Sequence, residues 1–275
     1  MDAHLTPITA GRISRTPTPS RARPATGATT ALPMPDPDGF RTKPVTRELS
    51  QFQGGEEFTP NPRSETVSRI FNVTMAFLMF VVSLPIMLIT AIVIRLTSRG
   101  PIFYTQTRVG LDRRWNRTRA LRERRREDLG GVPFTIYKFR SMRVDAEING
   151  QAVWAQKEDD RVTLVGKIIR KTRCDELPQL LNVLRGEMNI VGPRPERPSI
   201  FVRLRESIEE YPIRQRVKPG ITGLAQINNN YDTCLDDVRR KVEYDLKYIS
   251  TQSIAQDILI MLKTVPVMIF RIGAH

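Results

Sequence analysis

The hydrophobic pattern of the chain is dominated by one apolar run of 22 residues without a charge, from Val73 to Ile94. As a helix that rises about 1.5 Å per residue, this run would reach ~33 Å, enough to cross the hydrocarbon core of a bilayer. A buried helix of a soluble domain is disfavoured by the length. The pattern therefore predicts a membrane segment within residues 63–101.

Two features of the apolar run favour a helix that bends and leaves the membrane by the face it entered. Pro85 lies in the middle of the run and Ser83 two residues before it, a place where a helix can bend sharply. A spanning helix normally carries its basic residues mainly at one end. Here they flank both ends, at Arg63, Arg69, Arg95, Arg99, Arg108, Arg113 and Arg114. From the residues alone, spanning and re-entrant helices are about equally supported.

After residue 132 the pattern is that of a folded domain with more helix than strand. Residues 134–139, FTIYKF, alternate and are rich in aromatic and β-branched side chains, which predicts a strand. Apolar residues at helical spacing predict helices over 163–173, 176–185, 235–248 and 254–270. Gly186 is a predicted helix stop. The pattern as a whole predicts an α+β fold that is dominated by helices and has a small sheet.

Two apolar stripes mark the faces that these helices should bury. The first is expected to be core and consists of Leu177, Leu180, Leu181 and Leu184. The second faces either the core or a membrane interface and consists of Ile258, Leu259, Leu262, Val265, Met268 and Ile269.

Two segments have a composition that sets them apart. Residues 1–62 hold ten of the 20 prolines and few aliphatic clusters, so they are predicted to be disordered. Residues 112–128 hold eight arginines and four acidic residues. They are either a solvated, partly helical insertion or a patch for lipid headgroups. A nucleic-acid-binding arm is disfavoured, because Trp115 is the one aromatic residue in it.

Charge and rare residues narrow the chemistry. The formal net charge of +14 predicts an anionic partner. Both histidines, His4 and His275, lie next to a terminus, which excludes a histidine-dependent nucleophile and a histidine-ligated zinc in the body of the chain. Cys174 and Cys234 are too few for a disulfide scaffold. Catalysis, if present, must rest on Asp, Glu, Lys, Tyr or Ser.

The adjacent acids Asp175 and Glu176 precede the leucine-striped helix, and Pro178 follows in its predicted first turn. In the simpler interpretation Asp175 caps the helix and Glu176 is a first-turn acid, together worth ~1–2 kcal/mol. In the functional interpretation the two carboxylates divide the labour. One is a nucleophile and the other an oxygen ligand for Mg²⁺.

Three further segments carry candidate phosphate ligands, each weak by itself. Residues 137–142 place Lys138 and Arg140 on the same side of a strand. The proline-rich loop 188–198 presents Arg194 and Arg197, whose planar guanidinium groups suit phosphate oxygens. The segment VKPGITGLAQIN (217–228) has two glycines around Thr222 and could offer backbone N–H groups to a phosphate.

Taken together and in this order, these segments resemble the bacterial sugar transferase family, the monotopic phosphoglycosyl transferases of glycan assembly. The resemblance covers roughly residues 65–270, and DELPQL followed by GPRP is highly specific. The matching segments are the apolar run with its proline, SRGPIFYTQTRVG (98–110), FTIYKFRSM (134–142), residues 159–198, VKPGITGLAQIN (217–228) and VRRKVEYDLKYI (238–249).

The resemblance implies a reaction and its partners. Such enzymes transfer a sugar 1-phosphate from a nucleotide diphosphosugar to a polyprenyl phosphate and release a nucleoside monophosphate, with Mg²⁺ as cofactor. For this chain we expect undecaprenyl phosphate and a UDP-sugar, glucose or galactose, at an anionic membrane surface. No nucleic-acid partner is expected, and a homodimer is compatible with the resemblance. The expected location is the cytoplasmic face of the bacterial inner membrane.

The resemblance also assigns residues and domains. Asp175 would be the nucleophile and Glu176 a magnesium ligand, and Lys138, Arg140 and Arg194 would hold phosphate groups. Arg197, Thr222 and Gln226 are secondary candidates for substrate contacts. The chain would be a monotopic membrane protein with a re-entrant helix bent at Ser83 and Pro85. A catalytic domain, 102–270, would follow that helix, with a tail at 271–275.

Two departures from the family pattern concern the bend and the loop. Ser83 and Pro85 are separated by Leu84, and the arginine-rich stretch is longer than usual. Two alternatives keep the acid pair structural: a catalytically silent membrane scaffold, and a basic protein that binds membranes or nucleic acid.

Overall fold

The computed structural model describes residues 59–113, 130–146, 159–228 and 235–270. Its helices are α1 Glu65–Thr97, α2 Leu164–Lys171, α3 Leu180–Arg185, α4 Pro198–Ser207, α5 Leu224–Asn228, α6 Leu235–Thr251 and α7 Ile254–Phe270. Two 3-10 helices cover Cys174–Gln179 and Tyr211–Arg216. The strands are β1 Phe103–Val109, β2 Pro133–Phe139, β3 Asn189–Val191 and β4 Gly220–Thr222. The helix-dominated fold with little sheet is confirmed.

Local sequence signals placed most of these elements. The predicted strand 134–139 is β2, and the predicted helix 254–270 coincides with α7. Gly186 ends α3 with a left-handed φ of 88°, as a glycine stop requires. The predicted helix 176–185 divides into the end of a 3-10 helix and α3. Our predictions for 1–58, for most of the arginine-rich stretch and for 271–275 fall outside the described residues.

The long helix α1 contains the whole apolar run. The Ser64 hydroxyl caps its first turn by accepting from Val67 N–H, and Ser98 N–H closes its last turn on the Ile94 carbonyl. At about 1.5 Å per residue its 33 residues extend ~50 Å. Among the described helices, α1 alone is long and apolar enough to cross a membrane. Helix α1 continues through Pro85, so a turn back at this proline stays a prediction.

One face of α1 is buried and the opposite face is exposed. The buried side chains recur every three or four residues for most of the length, at Ser68, Asn72, Ala76, Ser83, Met87, Thr90 and Ile94. The exposed face carries large apolar side chains such as Phe77, Val82 and Ile89. A helix with one face packed on protein and the other apolar and uncovered has the surface expected of a membrane-embedded helix.

Both ends of α1 are held by the globular part of the chain. Just before the helix, the Arg63 guanidinium donates to Asp257 Oδ2 at 2.8 Å, on α7. Just after it, the Arg140 guanidinium donates to the carbonyls of Ser98 and Arg99, both at 3.0 Å. These contacts bring the two ends of the apolar helix to one domain.

Two small sheets place the strands that matter for the site. β1 and β2 pair antiparallel, with Tyr104 opposite Lys138. β3 and β4 pair in parallel, with Asn189 opposite Gly220 and Val191 opposite Thr222. The core between these sheets and the helices includes Leu180, as predicted, while Leu177, Leu181 and Leu184 are partly buried.

Five of the six residues in the predicted apolar stripe of α7 do not belong to the core, and the side chain of the sixth, Ile269, lies outside the described residues. Ile258, Leu259, Leu262, Val265 and Met268 are all exposed. The buried face of this helix instead carries Asp257 and Ile260. Of the two alternatives for the stripe, the core is therefore wrong for these five residues, and an apolar face open to a membrane interface is the one that fits.

Candidate active site

A left-handed residue sets the position of the two adjacent acids. Thr163 is the N-cap of helix α2 and its hydroxyl accepts from Gly166 N–H at 2.9 Å, while Thr172 is the C-cap. Arg173 then adopts φ 56°, ψ 13°, the one positive φ outside glycine among the described residues. This turn starts the 3-10 helix Cys174–Gln179 with both acids in its first turn.

The prediction that Asp175 is an N-cap is wrong. The cap position of the 3-10 helix belongs to Arg173, and the cap of α3 belongs to Gln179. Asp175 is the second residue of the 3-10 helix because the left-handed turn comes two residues before it. The Asp175 carboxylate therefore does not accept a capping hydrogen bond.

Three cations surround the carboxylate of Glu176. Lys138 Nζ and Arg194 Nη2 each lie 2.8 Å from Glu176 Oε1. Arg173 Nη1 lies farther away, 3.7 Å from Oε2. The strand β2 supplies Lys138 and the proline-rich loop supplies Arg194, so the structure brings together three residues that the sequence had singled out.

These contacts decide the protonation of Glu176. Burial by itself raises the pKa of the carboxyl, but Arg194, Lys138 and Arg173 outweigh burial and hold the pKa well below its ordinary value. Burial also lowers the pKa of Lys138, against which the charge of Glu176 acts. Glu176 is thus an anion at neutral pH.

Asp175 lies in the opposite electrostatic situation. It is 9% exposed, and its Oδ1 has no hydrogen-bond partner among the described residues. Burial and then the neighbouring charge of Glu176 raise its pKa to about 6, although Lys138, Arg170 and Arg173 act in the other direction. The site therefore contains a buried carboxylate that is largely ionised at pH 7 and has an oxygen left without a partner.

The acid pair can contribute to a metal site but cannot form one alone. Within the described ranges, no group of three or more His, Cys, Asp or Glu side chains could hold a metal ion. Mg²⁺ commonly takes one or two carboxylates and completes its shell with water and substrate phosphates. The unpartnered Asp175 Oδ1 and the loosely contacted Glu176 Oε2 are two oxygens that suit such an ion.

The other predicted ligands are placed elsewhere. Arg140 binds the end of α1, as described above, and its Nη2 also donates to Ser98 Oγ at 2.6 Å. Thr222 Oγ1 lies 2.8 Å from Thr264 Oγ1, and Gln226 Nε2 donates to the Ile221 carbonyl. Arg197 occupies the N-cap position of α4. Their roles as substrate ligands stay predictions.

Two arginines near Asp175 were missed. Arg170, in the last turn of α2, and Arg173 both favour the ionised form of Asp175. Their spacing of three residues, just before the acid pair, is a signal that could have pointed to them.

The comparison with known proteins agrees with the motifs. The family model described as bacterial sugar transferase matches residues 63–271. A UDP-glucose:undecaprenyl-phosphate glucose-1-phosphate transferase of Caulobacter vibrioides is 37% identical over 225 residues, which is 81% of this chain and 76% of the relative.

A UDP-N-acetylgalactosamine-undecaprenyl-phosphate N-acetylgalactosaminephosphotransferase of Aeromonas hydrophila is 40% identical over 216 residues, 78% of this chain and 47% of the relative. The chain spans less than half the length of several curated relatives that it matches. The matched region includes α1, the acid pair and the proline-rich loop, and it extends over most of the chain. The chain belongs to the bacterial sugar transferase family.

Proposed function

We propose that this chain transfers a sugar 1-phosphate from a UDP-sugar to undecaprenyl phosphate and releases UMP, through a covalent phosphosugar on Asp175. The observation that carries the proposal is the contrast between the two adjacent carboxylates. Glu176 is held by Lys138 and Arg194, whereas Asp175 is buried with an unpartnered oxygen. Relatives from several bacteria carry names of this activity.

The reaction takes place in two displacements. In the first, a carboxylate oxygen of Asp175 attacks the β-phosphorus of the UDP-sugar, and the bond from that phosphorus to the bridging oxygen breaks. UMP leaves with the bridging oxygen. In the second, a phosphate oxygen of the lipid attacks the same phosphorus, and the bond to Asp175 breaks. The Asp175 carboxylate is regenerated, and the undecaprenyl diphosphate sugar leaves.

The residues around the pair suit this chemistry. Burial of Asp175 removes water from the nucleophile, which would otherwise compete for the phosphorus. Lys138, Arg194 and the two arginines of 170–173 supply positive charge where the diphosphate must lie, because phosphoryl transfer depends mainly on positioning and charge neutralisation. Mg²⁺, when bound by Glu176 and substrate oxygens, would neutralise further charge on the diphosphate.

The proposed donor is UDP-glucose or UDP-galactose. The name of the Caulobacter vibrioides relative includes glucose, and that of the Aeromonas hydrophila relative includes N-acetylgalactosamine. A panel of donors is therefore needed, with N-acetylhexosamines included.

The proposed membrane arrangement is monotopic, with both ends of α1 on the cytoplasmic face of the inner membrane. It is supported by the contacts of Arg63 with Asp257 and of Arg140 with Ser98, which tie both ends to one domain. A helix that crossed the bilayer would carry its ends to opposite sides. The exposed apolar face of α7 would rest in the interface, near the headgroup of a lipid-borne acceptor.

The test is UMP release by the detergent-purified full chain with undecaprenyl phosphate, Mg²⁺ and a panel of UDP-sugars. Wild type and Asp175→Asn are compared, with Asp236→Asn as matched control because Asp236 pairs with Arg239 on α6. We expect lipid-dependent UMP from one donor, lost only in Asp175→Asn. Full activity of Asp175→Asn would contradict the proposed nucleophile. Folded wild type that is silent with every donor would contradict the proposed reaction.

A further inference from the structure

We infer that Arg214, paired with Asp245, is a positioning residue that holds the main chain of Arg194 so that its guanidinium meets the Glu176 carboxylate. The inference rests on the proposed function, since it names a residue that supports the same site from behind. Arg214 lies in the 3-10 helix Tyr211–Arg216, and Asp245 lies on α6.

The loop that carries Arg194 is held at four successive carbonyls. Its three prolines already restrict the backbone. Each carbonyl from 193 to 196 accepts a hydrogen bond from another element: Pro193 from Gly220 N–H at 3.0 Å, Arg194 from Arg214 Nη2 at 3.1 Å, Pro195 from Arg108 Nη1 at 3.1 Å, and Glu196 from Val109 N–H at 2.9 Å. Two of these donors are arginine side chains, and the Arg214 bond acts at the functional residue itself.

Arg214 is held on every side of its guanidinium. The side chain is 0% exposed. Its Nε donates to Asp245 Oδ2 at 2.6 Å, and its Nη1 donates to the Tyr211 hydroxyl at 2.7 Å. The remaining nitrogen, Nη2, donates to the Arg194 carbonyl. A planar fork fixed at two points therefore presents its third donor in a defined direction.

Stability alone does not account for this burial. Removing an ion pair from water costs so much that an apolar pair of similar volume is often as stable or more stable. The three hydrogen bonds of Arg214, to a carboxylate, a hydroxyl and a loop carbonyl, fix the position of the loop instead. The carbonyl it holds belongs to the residue whose side chain reaches Glu176 at 2.8 Å.

The same face of α6 holds the loop at a second point. Lys241 lies four residues before Asp245, so the two side chains lie on one side of the helix. Lys241 Nζ donates to Glu196 Oε1 at 2.9 Å, two residues after Arg194. The segment KVEYD of α6 is therefore the back wall of the proline-rich loop. Among the described residues, the hydrogen bond that links Arg214 to the site is the one to the Arg194 carbonyl, which distinguishes Arg214 from a substrate ligand.

A double-mutant cycle tests the inference in the full chain. Arg214→Lys, Arg194→Gln and the double variant are compared by kcat/KM for UMP release. Lysine keeps the charge of Arg214 but cannot reach three partners at once. We expect Arg214→Lys to lower kcat/KM about tenfold alone, and less than about twofold when Arg194 is already Gln. A tenfold loss in both backgrounds would overturn the inference, because Arg214 would then act independently of Arg194.

Two controls keep the result interpretable. Arg203→Lys, the same change at an exposed position of α4, should leave kcat/KM unchanged. If Arg214→Lys does not fold, Asp245→Asn, which removes the charge that anchors Arg214, takes its place in the cycle with the same expectation.

Thermal unfolding tests the positioning role of Arg214 independently of the proposed reaction. If wild type releases no UMP, the reaction is wrong, and the four chains are compared by Tm instead. Arg214→Lys should then lower Tm less in the Arg194→Gln background than in the wild-type chain, because part of its effect passes through the Arg194–Glu176 pair. Additive Tm shifts would overturn the positioning role even without turnover.

Discussion

Replacing the proposed nucleophile by its isosteric amide should make the protein more stable. Within the described part of the chain Asp175 Oδ1 has no hydrogen-bond partner, and the pKa of this carboxyl is raised from 3.8 to about 6. A folded-state pKa above the unfolded value means that ionising the group costs stability. At ~1.4 kcal/mol per pKa unit, the carboxylate costs the fold roughly 3 kcal/mol above pH 6. Asn has its own unpaired polar atom, so about 2 kcal/mol should be recovered.

Because the pKa of Asp175 is raised in the folded chain, the gain in stability of Asp175→Asn depends on pH. Between about pH 4 and 6 the folded chain binds the Asp175 proton more tightly than the unfolded chain, so wild-type stability falls as pH rises through this range. Asp175→Asn lacks this group. The variant should be about 1 kcal/mol less stable than wild type near pH 4, where Asp175 is largely protonated in both states, and should reach its full advantage above pH 6. For a region of this size the advantage corresponds to a Tm rise of about 4–8 °C.

The assay is thermal unfolding followed by intrinsic fluorescence in detergent with EDTA and without substrate. EDTA prevents a divalent cation from compensating the carboxylate. Asp159→Asn is the matched control, because the hydrogen bond from Arg161 lowers the pKa of Asp159 despite partial burial, and its loss should lower Tm at pH 7.5. An unchanged or lower Tm for Asp175→Asn at pH 7.5, or an equal rise at pH 4, would refute the argument that Asp175 is an uncompensated charge.

Three further perturbations test the metal site, the role of an arginine and the membrane topology. Glu176→Gln should shift the Mg²⁺ titration of UMP release to higher concentrations; an unchanged titration excludes a metal role. Arg140→Met should lower the free energy of unfolding by about 2–4 kcal/mol, because the hydrogen bonds to Ser98 and to the Arg99 carbonyl are lost. The KM for the UDP-sugar should not change. A raised KM at unchanged Tm would instead indicate that Arg140 is a phosphate ligand. In sealed vesicles that expose the cytoplasmic face, and with Cys174 and Cys234 replaced by serine, an impermeant maleimide should label single cysteines placed at Ser64 and at Thr97; labelling of one position alone would indicate a spanning helix.

Local patterns predicted the elements better than their surroundings. The alternation of β2 and the apolar spacing of α7 depend on neighbouring residues, so both appear in the structure where the sequence placed them. The environment of α7 does not follow from spacing. A stripe of apolar residues looks the same whether protein or lipid covers it, and the structure leaves this one exposed.

The acid pair shows a second limit of local patterns. A helix start at Asp175 was a reasonable inference from Asp, Glu and Pro in sequence. The actual start depends on the left-handed conformation of Arg173, which no residue preference announces outside glycine and asparagine. Because Asp175 is not at the cap position, no capping hydrogen bond occupies its carboxylate.

Long-range contacts determine the partners of Lys138, Arg140 and Arg194. Strand alternation predicts Lys138 and Arg140 on one side of a strand, but β2 ends at Phe139, and Lys138 meets Glu176 whereas Arg140 meets the end of α1. The difference arises because α1 ends beside Arg140, and the end of α1 lies some 40 residues earlier in the chain. Arg194 reaches Glu176 across 18 residues through a loop that other elements hold.

The covalent role of Asp175 is tested by mass spectrometry of the intact protein and of its peptides after incubation with the productive UDP-sugar and Mg²⁺ in the absence of the lipid acceptor. We expect an adduct of one sugar phosphate on the peptide that contains Asp175, its loss on addition of undecaprenyl phosphate, and no adduct in Asp175→Asn. Lipid-dependent UMP release with no adduct, or with an adduct on another residue, would contradict the covalent role of Asp175.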